Sequence, residues 1–188
     1  MKTKRIIVSM FCIFAGVSSL IAQGFQPPAP GKAVVYFTRI TGYGFAVSFE
    51  FFHQDKYIGA FKGSNCMRYE LDPGQQLLWA SSENKEFVAC DLKEGGTYII
   101  LVDVNMGFGK ARVELNPINA SDDRFKRAKD LINSKEPVVT PPEKIEALNK
   151  KLAEFIPEQL RKYEEEWKGT KVVKNMSADM AIPEESMK

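Results

Sequence analysis

Between residues 32 and 115 the chain breaks into short apolar runs at near-regular spacing, and this spacing constrains the fold more than any other feature. The runs cover 32–38, 45–52, 57–62, 66–71, 76–82, 87–92, 97–104 and 110–115. Turn-forming groups separate them: Gln54-Asp55, Asp72-Pro73-Gly74 and Glu94-Gly95-Gly96. Side chains alternate along a strand, so apolar residues two apart mark a buried face. Phe45, Val47, Phe49 and Phe51 share one face of their run, with Ala46, Ser48 and Glu50 on the other. The run 97–104 is apolar on both faces, through Tyr98, Ile99, Ile100, Leu101 and Val102, as in a central strand. Short strands about every 8–12 residues predict an antiparallel β-sandwich of about eight strands over 32–115. Strand–helix alternation of the nucleotide-binding α/β kind is missing from the pattern. With successive strands antiparallel, the irregular loops 39–44, 63–65, 83–86 and 105–109 gather at one end, where binding on a rigid scaffold usually sits.

From 116 to 169 the period changes from two to that of a helix, so the fold class is mainly β with C-terminal α, two or three helices in all. Asn119 or Ser121 can cap a first helix, with Asp122 and Asp123 in its first turn and Phe125, Ala128, Leu131 and Ile132 on one face. Thr140-Pro141-Pro142-Glu143 has the form of a capping box with proline at the helix start. Ile145, Leu148, Leu152, Phe155 and Ile156 follow as an apolar stripe, and Leu160, Tyr163 and Trp167 continue it past Pro157, which must kink or break the helix. This stripe either covers the sandwich or docks an envelope protein or a second copy of the chain, with Leu148, Leu152, Phe155, Tyr163 and Trp167 as contacts. Residues 170–188 are polar and read as a disordered tail.

The other end of the chain reads as an address. Lys2, Lys4 and Arg5 precede an apolar stretch, 6–21, that closes on Ala22. This is the pattern of a signal peptide over 1–22, with an extended lead over 23–31. The protein is then exported, periplasmic or envelope-associated, with no transmembrane span after cleavage. Met10 and Phe11 precede Cys12, where lipidation wants a small residue, so no lipid anchor is expected. The whole chain carries a formal charge of +2. Three of its 26 basic residues lie in the signal, which leaves 23 against 24 acids and removes the case for nucleic acid as a partner.

Several ordered elements resemble a family of small exported bacterial domains of unknown function, many of them expected lipoproteins. These are Gly31-Lys32-Ala33-Val34-Val35-Tyr36-Phe37-x-Arg39, the strand–turn segment 49–59, Tyr69-x-Leu71-x-Pro73-Gly74, Leu92-Lys93-x-Gly95-x-Thr97-Tyr98 and the glycine-rich turn and strand 107–115. The resemblance spans roughly residues 31–135. It implies a β-sandwich-like domain with no assigned activity. The chain departs from the family in lacking a lipidation motif, in carrying Gln54-Asp55 where Asp-Gly is usual, and in its helical extension.

Candidate chemistry is sparse. The single histidine, His53, has Asp55 nearby but no nucleophile motif, and reads as a solvated residue beside a turn. One histidine and scattered carboxylates give no metal-ligand spacing, so neither metal nor cofactor is expected, and the chain does not read as an enzyme. Cys66 and Cys90 are the thiols left after export, and two readings stand for them. The oxidising compartment favours a disulfide, whereas their unequal depth in their strands favours free buried thiols. Gly42-Tyr43-Gly44 and Gly107-Phe108-Gly109 each set an aromatic between glycines at the irregular end, near Arg39. Arg39, Tyr43 and Phe108 are therefore the candidate ligand-binding residues, against the reading in which the rings plug the end of the fold. The functional expectation is an envelope structural or protein-interaction module, with a small-ligand-binding protein as the alternative.

Overall fold

The eight expected strands form, and a ninth joins them. The computed structural model describes residues 24–106, 111–170 and 172–188. The expected signal segment lies outside the described residues. The strands are β1 (Ala33–Arg39), β2 (Ser48–His53), β3 (Lys56–Lys62), β4 (Asn65–Leu71), β5 (Gly74–Ser81), β6 (Lys85–Leu92), β7 (Thr97–Met106), β8 (Ala111–Ile118) and β9 (Lys174–Met176). One sheet has the order β4-β1-β7-β8 and the other β3-β2-β5-β6-β9. The helices are α1 (Phe125–Ser134), α2 (Pro142–Lys151), α3 (Phe155–Lys162) and α4 (Glu184–Met187). The fold is mainly β with its helices towards the C-terminus.

Wholly antiparallel pairing does not hold. β1 pairs with β7 in parallel, Val34 opposite Thr97 through Thr38 opposite Leu101, and β6 pairs with β9 in parallel. Hairpin turns enforce antiparallel neighbours, but β1 and β7 are joined by the whole excursion through β2–β6, which frees their relative direction. Both are buried on both faces, as parallel strands usually are. β7 is central, between β1 and β8.

Three apolar clusters fill the molecule. Val35, Phe37, Ile100, Val102 and Leu115 of the first sheet meet Phe49, Phe51, Leu78 and Val88 of the second. Val34, Tyr36, Ile99 and Leu101, on the opposite face of the first sheet, pack beneath Ala128 and Ile132 of α1. Phe52, Tyr57, Trp79 and Phe87, on the outer face of the second sheet, are covered by α2, α3 and the π-helical turn Tyr163–Trp167. A bulge in the β2–β3 ladder, where Phe51 pairs with Gly59 and Phe52 with Tyr57, marks the change of register. Phe52 then stacks on Trp79 at 3.8 Å between ring centroids.

Local expectations at the helices are corrected. Thr140 does not cap α2: its hydroxyl accepts a hydrogen bond from Ala60 N at 3.2 Å. Gly59 makes that approach possible, because a Cβ there would lie 2.9 Å from Thr140 Oγ1 and 2.8 Å from Met67 Sδ. Neither Asn119 nor Ser121 caps α1, whose first residue follows Arg124. Pro157 breaks nothing: the helix ends earlier, at Lys151, and Pro157 falls in the first turn of α3, where no backbone donor is needed.

The tail is the largest correction. Residues 172–188 are ordered, with β9 on the edge of the second sheet and α4 at the end. Val173, Met176, Ile182 and Met187 are buried. Lys174 reaches Glu86 at 3.2 Å and Glu114 at 2.9 Å, so it ties β6 to β8 at the open side of the two sheets. Ile182 N donates to Thr97 O, and Met187 joins Ala128 and Ile132 under α1.

Candidate functional site

The irregular loops over 40–47, 63–64 and 82–84 gather at one end, and residues 107–109 lie outside the described residues. Asn84, in the β5–β6 loop, bonds both the backbone N–H and the carbonyl of Val113 on β8. The loop 40–47 lies against Val104 of β7 at Gly44. Arg39 holds this loop, and it does so from inside the protein. Its side chain is fully buried. Nη1 donates to Val47 O at 2.9 Å, and Nη2 donates to Gly44 O at 2.7 Å and to Tyr43 O. The guanidinium lies over the Phe49 ring, 5.4 Å from its centroid. Burial draws its pKa below the usual arginine value. Arg39 is thus not the free polar partner of a ligand that the sequence suggests: Nη1 and Nη2 are engaged in shaping the loop, and Nε is buried without a partner.

What the loop presents is aromatic. Tyr43 is 62% exposed and Phe45 is 74% exposed. Sequence reasoning put Phe45 in the buried face of a strand, but β2 begins only at Ser48. Gly44, at φ +64°, supplies the turn between the two rings. Tyr43 is therefore not a plug, since most of its surface meets solvent. Phe108, its expected companion, lies outside the described residues. Beside Tyr43 is a cleft of about 450 Å³ whose charged groups are matched to one another. Arg124 meets Asp103 at 3.2 Å, Asn116 donates to Asp103 and Asn105 donates to Glu114.

The remaining candidates serve structure. Cys66 and Cys90 are both free and buried, Cys66 on the α1 side of the first sheet and Cys90 between the sheets. They belong to different sheets and different clusters, so no disulfide forms. Burial pushes the Cys66 thiol up to about 11 and the Cys90 thiol up to about 12. His53 is half-buried rather than freely solvated: Nδ1 meets Tyr69 Oη at 3.0 Å and Nε2 meets Gln76 Oε1 at 2.8 Å, which links β2 to one strand of each sheet. Leu148, Leu152, Phe155, Tyr163 and Trp167 all pack on the outer face of the second sheet, so this face is covered from within the chain. Phe87 stacks on Tyr163 at 4.9 Å.

Among further depressions that were not foreseen, two bear on function. The larger, about 840 Å³, runs between the π-helical turn and the strands β5, β6 and β9. Its lining mixes Leu77, Leu160 and Tyr163 with Gln75, Asp91 and Asn175. The smaller, about 380 Å³, lies between β2 and α2. Among the described residues no cluster of His, Cys, Asp or Glu has the makings of a metal site, and no helix is long and apolar enough to cross a membrane. Compared with known proteins, the chain matches no family model and no curated protein.

Proposed function

We propose that this protein is an exported, envelope-associated interaction module, built on a β-sandwich, that docks a protein partner through the loop 40–47. One observation carries the reading. A fully buried arginine places hydrogen bonds on three carbonyls of a single loop, and the loop's two aromatic side chains face solvent. Burying a guanidinium is unfavourable, and here Nη1 and Nη2 recover part of that cost on loop carbonyls while Nε stays unmatched, so the arrangement commits stability to holding the loop in one shape. Aromatic side chains held rigidly at a surface are the usual anchors of protein interfaces. The signal-like segment 1–22 and the resemblance to small exported domains support the envelope assignment. The absence of a nucleophile–base pair from the sequence pattern weighs against catalysis.

The test is cross-linking in cells with a photoreactive residue at position 43, with the same experiment repeated on Phe45→Ser. The expected result is a discrete cross-linked species that Phe45→Ser reduces at least tenfold while the melting temperature stays within a few degrees. Cross-links that are absent, or unchanged in Phe45→Ser, would sink the loop reading. A second reading, small-ligand binding, draws support from the 840 Å³ groove, whose size and mixed lining suit a metabolite-sized molecule.

A further inference from the structure

The cleft between β2 and α2 sits above a polar row that interrupts an otherwise aromatic sheet face. Register places Glu50 beside Ala60 of β3 and beside Ser81 of β5. The neighbouring row on the same face is Tyr57, Phe52, Trp79 and Phe87, all buried under the helices. A carboxylate at the edge of such a row would ordinarily be matched by a cation. Glu50 is half-buried, and among the described residues its carboxylate forms no ion pair and accepts no hydrogen bond. Lys144 of α2 lines the same cleft and is likewise without an ion pair. The wall between them includes Tyr57, which is 1% exposed and whose hydroxyl is shut off from solvent with no hydrogen-bond partner. The charge of Glu50 acts on that hydroxyl. Buried hydroxyls are nearly always paired, so an unpaired one in the wall of a cleft points to a missing partner.

The cleft thus combines an anion, a cation and the Ser81 hydroxyl, with the closed-off Tyr57 hydroxyl just behind its wall and Ala60 and Leu148 as its apolar lining. We propose that it binds a small zwitterion of amino-acid size, with the ammonium group at Glu50 and the carboxylate at Lys144. A single cation would leave Lys144 unmatched, and a single anion would be repelled by Glu50. The volume of about 380 Å³ suits a ligand of few heavy atoms. This site is separate from the loop 40–47 and does not rest on the interaction reading.

The experiment is a titration of the chain from residue 23 onward with L-alanine, ethylamine and propionate, followed by backbone amide chemical shifts and calorimetry. L-Alanine should give saturable shifts at residues 50, 60 and 81 and bind roughly tenfold or more tightly than either half-molecule. Glu50→Gln should weaken alanine binding roughly tenfold or more, because a charge-assisted bond is lost. Tyr57→Phe should weaken it several-fold while leaving the melting temperature equal or higher, since it removes one unpaired hydroxyl and keeps the ring. No saturable shift at the cleft would overturn the proposal. So would binding that Glu50→Gln leaves unchanged, or ethylamine binding as tightly as alanine.

Discussion

Cys66 and Cys90 show how the surroundings of a residue can outweigh its compartment. Export argues for a bridge between the two remaining thiols, but the strand pattern already set them at unequal depths. The structure separates them further, into clusters on opposite sides of a sheet. Their raised pKa values have a consequence with a definite sign. From the ordinary thiol value of 9.0, Cys90 is pushed to about 12, and Tyr57 goes from 10.0 to about 12. Above pH 9 the unfolded chain releases these protons while the folded chain retains them, so rising pH favours unfolding. Stability should be flat below pH 9 with respect to these groups and fall between pH 9 and 12. Urea melts across that range would measure the fall, and Cys90→Ala should flatten it while lowering the neutral-pH value by its lost packing. At pH 8 neither thiol should react with iodoacetamide in the native protein, and both should react in urea. Labelling of the native protein at a rate near that in urea would contradict the burial. Arg39 teaches the complementary lesson: its identity and nearness to Tyr43 were legible, but a strand-end arginine gives no sign in sequence of pointing inward.

At the scale of elements, α2 does more than cover apolar surface, because it closes the open edge of a sheet. β3 is the last strand of its sheet, so alternate N–H and C=O groups face away from β2. Asn149 of α2 accepts from Tyr57 N at 2.9 Å and donates to Tyr57 O at 3.1 Å, as a neighbouring strand would. Thr140 takes the N–H of Ala60. Unpaired edges invite pairing with other chains, and this one is blocked by side chains. Asn149→Ala should lower stability by about 1–3 kcal/mol through the unmatched backbone groups, measured by urea unfolding, and should raise the aggregation rate on heating. A variant as stable and as soluble as the parent would show that the edge is protected by other means. The helix stripes themselves were readable from spacing, as was their alternative use as a cover. The role of Asn149 was not, because a single polar residue on an apolar stripe has no periodic signature.

At the scale of the whole molecule, what was legible divides from what was not along sequence distance. Strands β1–β8 and the central position of β7 follow from alternation and local turns. The parallel β1–β7 pair and the strap formed by residues 172–188 depend on contacts between distant segments, which leave no local period. The strap was the harder of the two. Val173, Met176, Ile182 and Met187 follow neither a spacing of two nor one of 3.6, because each fills a gap in a different place. Val173 meets the aromatic face under α3, Met176 the space between the sheets, and Ile182 and Met187 the face under α1. One short segment therefore reaches all three apolar clusters, with the Lys174 pairs to Glu86 and Glu114 at its start. Four buried side chains at roughly 1.5–3 kcal/mol each are comparable to the about 5–15 kcal/mol that holds a typical domain folded. A chain ending at Thr170 should accordingly lose cooperative unfolding, or melt more than roughly 10 °C below the full chain. Differential scanning calorimetry of the two chains decides it, with Met187→Ala as the milder companion: it should lower stability by about 2–5 kcal/mol if the last turn is packed as described. A truncated chain that melts cooperatively within a few degrees of the full one would mean that the sheets hold together without the strap, and that these residues rest on a core already complete.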